Sequence, residues 1–129
     1  MAYWPKLRTL LVSASLFAPL LLYAAEVQMR MVLGAQPVAG FQYYAGKRVW
    51  ADLKEGDALT LVREADNAYD PNAVRVEWHG EKLGYVPHAG NESVAKLLDK
   101  GIKLSGRIVN LHAGRSQWQR ILFEVMVDE

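Results

Sequence analysis

The sequence predicts a mainly β domain, a small antiparallel β-barrel of about six short strands with a helix inserted late. Three observations carry this. Several short segments alternate apolar and polar residues with a period of two, and turn-forming clusters separate them. Only Asn91 to Lys100 shows clear helical spacing. Finally, so many short strands in one small chain leave sheet edges open, and a closed or nearly closed sheet removes them.

Val27, Met29 and Met31 alternate with Gln28 and Arg30, so residues 26–36 read as a linker or a first strand. Val38 to Tyr44 is aromatic and apolar, reads as a strand, and stops at Gly46. Ala58 to Arg63 is a strand, with Leu59, Leu61 and Arg63 on one face. The segment Asp66-Asn67-Ala68-Tyr69-Asp70-Pro71-Asn72 is a dense turn cluster. Val74, Val76 and Trp78 then alternate with Arg75 and Glu77, giving a strand with one buried face. His79-Gly80-Glu81-Lys82 is a short connection, and Leu83-Gly84-Tyr85-Val86 is the return strand, so the two pair antiparallel. Asn91 is placed to cap the helix, with Glu92 in its first turn and Gly101 beyond its end. Ile102 to Leu111 forms another strand with a bulge expected near Gly106, and Trp118 to Val127 the last.

Residues 1–25 stand apart. Lys6 and Arg8 precede an uncharged run from Leu10 to Ala25. That run is shorter than the roughly 20 residues of a spanning helix, and Pro19 interrupts it. The pattern is that of a cleaved export signal, with a membrane anchor as the alternative. Three parts result: a signal or anchor at 1–25, a linker or first strand at 26–36, and one domain at 37–128. The expected location is periplasmic or secreted, with membrane contact only through an uncleaved 1–25.

Composition narrows the chemistry. Lys+Arg 15 against Asp+Glu 14 gives a net charge of +1, which excludes a polybasic tail and an acidic solvating chain. Without residues 1–25, two basic residues go and the balance is 13 against 14, a net charge of −1. Cys 0 excludes a disulfide framework, a thiolate zinc site and a cysteine nucleophile. His79, His88 and His112 form no metal-ligand spacing, and no serine has a Gly-x-Ser-x-Gly context. Asp66, Asn67, Asp70 and Asn72 lack the spacing of a calcium loop and read as a side-chain-capped turn. No catalytic residue, metal or cofactor is expected. Aromatics are the stronger signal. Tyr69 lies within a polar turn, and Tyr43 and Tyr44 are adjacent, so on a strand one of them faces outward. Exposed rings near polar groups suit base stacking, although tyrosines also bridge core and water on any small barrel.

Three segments together are more specific. Ala39-Gly40-Phe41-Gln42-Tyr43-Tyr44-Ala45-Gly46, Leu61 through Val76 with its Asn67-Ala68-Tyr69-Asp70-Pro71-Asn72-Ala73 turn, and Lys82-Leu83-Gly84-Tyr85-Val86-Pro87 resemble the HIRAN domain. The resemblance covers roughly residues 36–127 and extends to small exported bacterial proteins made of little else. It implies a modified OB-like barrel with one or two short helices that captures the 3′ end of single-stranded DNA. By resemblance Tyr43 and Tyr69 hold the terminal bases, Asp70 accepts a hydrogen bond from the 3′ hydroxyl, and Asn67 sits beside it. Gln42, Tyr85 and His88 occupy positions where the family carries basic groups, and Trp118 stands for an aromatic of the last hairpin. The resemblance thus implies a non-catalytic, monomeric module for single-stranded 3′ ends. The lost basic residues and the export segment leave open an exported module that binds a protein or envelope ligand instead.

Overall fold

The computed structural model describes residues 30–114 and 120–128. The chain divides into two units, Met1–Arg30 and Met31–Glu129, and every element below belongs to the second. The expected export segment and Trp118 lie outside the described residues.

Six strands form one antiparallel sheet: β1 (Met31–Pro37), β2 (Ala58–Arg63), β3 (Val74–Trp78), β4 (Glu81–Tyr85), β5 (Leu104–Leu111) and β6 (Ile121–Val127). Their order is β1-β6-β5-β2-β3-β4. Among the described residues two α-helices accompany them, α1 (Gly46–Val49) and α2 (His88–Asp99). The domain is mainly β and OB-like, as expected, and residues 31–37 are a strand rather than a linker. The sheet is not closed into a barrel. Among the described residues the two edges meet at one antiparallel bridge, Ala39 with Tyr85. Pro37 ends β1 without an N–H to donate, and Gly40, at φ 75°, turns the chain away before a ladder can grow.

The β3–β4 hairpin turns on two residues, His79 at φ 47° and Gly80 at φ 78°. Two successive positive φ values match the twist of the flanking strands. Strand β4 therefore starts at Glu81, and Lys82, expected in the connection, is a strand residue. Val76 pairs with Gly84 and Glu77 with Lys82, so Leu83 is an extra residue. This bulge bends β4 towards Ala39, with N–H to carbonyl bonds of 2.9 Å in both directions between Ala39 and Tyr85.

The aromatic run at 38–44 is not a strand. Phe41–Tyr43 form a 3-10 turn in which the Tyr43 N–H donates to the Gly40 carbonyl at 3.0 Å. Phe41 drops into the core, 1% exposed, over Gly46, whose missing Cβ leaves room for the ring. Sequence density of aromatics here marks one buried anchor among exposed neighbours.

Helix α2 begins three residues before the expected start, with Pro87 as its first flanking residue. Asn91 is consequently inside the helix and 3% exposed, not a cap. Val94 and Ala95 bury the apolar face. At the far end the Gly101 N–H donates to Leu98 and the Ile102 N–H to Leu97, with Gly101 at φ 82°. That is the expected glycine stop. In β5 the irregularity lies at Val109, between Ile108 and Asn110, rather than at Gly106. Gly106 stays in register with Leu59 and Val125, and its lack of a side chain accommodates Leu59. Trp78 is only half-buried, and its indole N–H donates to Asp57 at 3.0 Å. Leu59, Val76, Leu83, Ile108, Ile121 and Phe123 form the centre of the core.

Candidate functional site

The polar turn between β2 and β3 organises itself through its own side chains. Asn67 Oδ1 accepts the N–H groups of Tyr69 at 2.9 Å and Asp70 at 3.0 Å. Asp70 Oδ1 then accepts the Asn72 N–H at 2.8 Å. These side chains stand in for backbone turn bonds, which explains so many oxygens in so short a segment. With the backbone tied beneath it, Tyr69 projects at the tip, 97% exposed.

Asp70 is also fastened from the helix side. Asn91 Nδ2 donates to its Oδ2 at 2.7 Å, and His88 Nδ1 stands 3.5 Å from the same oxygen. The Asn72 N–H, above all, holds the carboxyl below the ordinary carboxylate range against partial burial; Asn91, His88 and Arg63 add to this. Asp70 is therefore ionised at neutral pH. Each carboxylate oxygen offers two lone pairs, so acceptor capacity remains.

The facing wall comes from β4 and the 3-10 turn. Lys82 Nζ donates to the Tyr85 hydroxyl at 2.8 Å, and that hydroxyl donates to Glu64 Oε1 at 2.9 Å. Glu64 further accepts Asn67 Nδ2 at 3.0 Å and an Arg75 N–H at 2.8 Å. Burial acts to raise the Glu64 pKa, but the bonds from Asn67, Tyr85 and Arg75, helped by the Lys82 charge, outweigh it and lower it. A lowered pKa means Glu64 stabilises the fold above the ordinary value of 4.5, and this is lost as pH falls through the folded value. The thermal midpoint of the wild type is thus expected to fall more between pH 7 and the acid side of that value than the midpoint of Glu64→Gln. Parallel losses in a pair of melting series would contradict the network.

Between the walls lies a pocket of about 480 Å³. Of the residues expected at a site, Asn67, Tyr69, Asp70, Tyr85 and His88 line it. Gln42 and Tyr43 belong to the 3-10 turn and are not among its lining residues. Tyr43 is 76% exposed beside it, whereas Tyr44, 37% exposed, lines the pocket. The Gln42 side-chain oxygen is buried with no hydrogen-bond partner among the described residues. Trp118 lies outside the described residues. Sequence reading missed Tyr44, Lys82 and Asn91. Tyr44 was visible as half of a Tyr-Tyr pair, but choosing between them requires the turn. The signal for Asn91 was an amide among the apolar positions of a helix, which a buried partner must satisfy.

These features define a class: a small, mainly β, OB-like module whose hairpin, turn and helix N-terminus surround an open pocket lined by tyrosines, one anchored carboxylate and one lysine. Residues 35–129 match the family model of the HIRAN domain, and the chain belongs to that family. A crystal structure of a protein from Lactobacillus plantarum superposes with a TM-score of 0.66 and 30% identity, over 75% of this chain and 93% of that one. The crystal structure of the HIRAN domain of human HLTF gives a TM-score of 0.57 at 21% identity, over 79% of this chain and 83% of that one, a likeness of fold. A Fanconi-associated nuclease 1 homolog of Oryza sativa subsp. japonica is 37% identical over 65 residues. That match spans 46% of this chain and 7% of the rice protein.

Proposed function

We propose that this domain is a non-catalytic module that binds single-stranded DNA at free 3′-hydroxyl ends. The observation that carries the reading is the anchored, ionised Asp70 beside the fully projecting ring of Tyr69. A carboxylate accepts a hydrogen bond from a hydroxyl and repels a phosphate at the same spot. A ring with a free face stacks on any base, so sequence preference is weak. Tyr44 offers a second ring within the same pocket. The nuclease named in the rice relative belongs to a protein of which the match covers 7%, and hydrolysis is not part of this reading.

End recognition separates this reading from general strand binding. A linear single strand is expected to bind by fluorescence anisotropy, and the same strand covalently closed into a circle is not. Equal binding of both would refute the end-binding role. Tyr69→Ala is expected to weaken binding of the linear strand by about 1–3 kcal/mol. An unchanged affinity with an intact circular dichroism spectrum would remove Tyr69 from the interface. The reading further takes residues 1–25 as an export segment, so the ends bound are those met outside the cytoplasm. N-terminal sequencing of the protein from an extracytoplasmic fraction tests this, and recovery from the cytoplasm alone with residues 1–25 intact would contradict it.

A further inference from the structure

We propose that Lys82 is the residue of this pocket that contacts a backbone phosphate, and that the opposition of Lys82 and Asp70 fixes the direction in which a strand enters. The inference rests on the 3′-end reading above. Gln42 and Tyr85 offer no positive charge, and His88, 85% exposed, stands beside Asp70 rather than on the facing wall. Lys82 supplies a cation there from the second position of β4.

Its surroundings favour an anion over a purely structural role. The ammonium lies 4.0 Å from the centre of the Tyr44 ring and 4.6 Å from that of Tyr85, so two rings hold it at the pocket wall. An ammonium has three N–H donors. Among the described residues the Tyr85 hydroxyl is its one hydrogen-bond acceptor, and no carboxylate oxygen lies within ion-pair distance. The nearby Glu64 carboxylate is already occupied by Arg75, Asn67 and Tyr85. Lys82 is thus a cation with open donors and no counter-ion in contact. Partial burial acts to lower its pKa, but the hydrogen bond to Tyr85, the phenol groups of Tyr85 and Tyr44 and the Glu64 carboxylate outweigh it and raise it, which keeps the charge on at neutral pH.

The two walls therefore differ in sign. Asp70 suits a hydroxyl and rejects a phosphate; Lys82 attracts a charged phosphate more strongly than a neutral hydroxyl. A 3′-terminal nucleotide carries its hydroxyl on one side and its 5′ phosphate on the other. Asp70 and Lys82 line the same pocket, so we place the nucleotide's hydroxyl at Asp70 and its phosphate at Lys82. Tyr85, held by Glu64, is a positioning residue for the lysine.

The test is anisotropy of the wild type, Lys82→Gln and Lys82→Arg with a short 3′-hydroxyl strand across a salt series. Two further strands carry a neutral methylphosphonate at the last or the penultimate linkage. Loss of one phosphate contact lowers the slope of log affinity against log salt by about 0.7 for a single strand. Lys82→Gln is expected to show that drop, with affinity at low salt reduced by about tenfold, while Lys82→Arg keeps the wild-type slope. One methylphosphonate is expected to weaken the wild type and leave Lys82→Gln unaffected at the same linkage. If the wild type prefers the 3′-hydroxyl strand but Lys82→Gln retains its slope and its sensitivity to both methylphosphonates, the role of Lys82 fails and the end-binding reading stands. If the wild type binds no strand, both fall. Thermal melts of both variants show whether any loss of affinity reflects loss of the fold.

Discussion

Asp70→Ala is expected to abolish discrimination between a 3′-hydroxyl and a 3′-phosphate strand. In the proposed reading the carboxylate acts twice in that discrimination. It accepts the hydroxyl hydrogen bond, and a hydrogen bond to a charged group contributes about 1.5–3 kcal/mol, roughly a ten- to hundred-fold difference in affinity. It also repels a phosphate placed at the same oxygen. Alanine removes both, so affinity for the hydroxyl strand falls while that for the phosphate strand holds or rises. Alanine also strips Asn91 of its acceptor and leaves a buried amide unsatisfied, at a cost of about 1–3 kcal/mol to the fold. Asp70→Asn is the companion variant, because Asn91 can rotate its amide and present oxygen to the new side chain. Both variants are expected to bind the two strands alike in competition anisotropy. A wild-type preference that survives in Asp70→Asn would take the carboxylate out of the recognition step.

Gly84→Ala is expected to damage both the stability of the domain and its binding. A Cβ there would lie 2.2 Å from the Ala39 carbonyl oxygen and 2.7 Å from Val38 Cγ1. The residue also sits at φ 153°, where side chains are strained. Backbone must move, and the backbone at issue is the one bridge that joins the two sheet edges. Overpacking alone costs about 1–3 kcal/mol, and each bridge bond lost adds about 1 kcal/mol. Ala39 and Tyr85, the bridge partners, both line the pocket, so affinity is expected to fall with stability. Chemical denaturation measures this directly, and an unchanged midpoint would mean that the bridge is not a structural keystone of the site.

The strands were legible because a half-buried strand writes its two faces into the sequence. Val74 and Val76 against Arg75 and Glu77 is such a record, and both valines are fully buried. The turn cluster was legible for a related reason, since Asn67 and Asp70 make the turn with their own oxygens. The remainder depends on contacts between segments distant in the chain. Asn91 looked like a cap because capping is a local property; its partner, Asp70, is 21 positions away. The 3-10 turn at 41–43 reads like a strand because its aromatic content is set by the depth of Phe41, not by pairing. Lys82 passed as a loop residue because the two-residue turn at His79 and Gly80 lengthens β4 by two positions. A closed or nearly closed sheet was expected from the need to cover edges; the sheet is instead open, and among the described residues its two edges are joined by one bridge, because Pro37 and Gly40 end the pairing there.

The central claim is that the pocket reads a free 3′ hydroxyl. Its most direct test is the ratio of affinities of the purified wild-type protein for one short single strand ending in 3′-hydroxyl and the same strand ending in 3′-phosphate, at matched moderate salt. A preference for the hydroxyl strand of about tenfold or more is expected. Equal affinity for the two strands, or a preference for the phosphate, would contradict it.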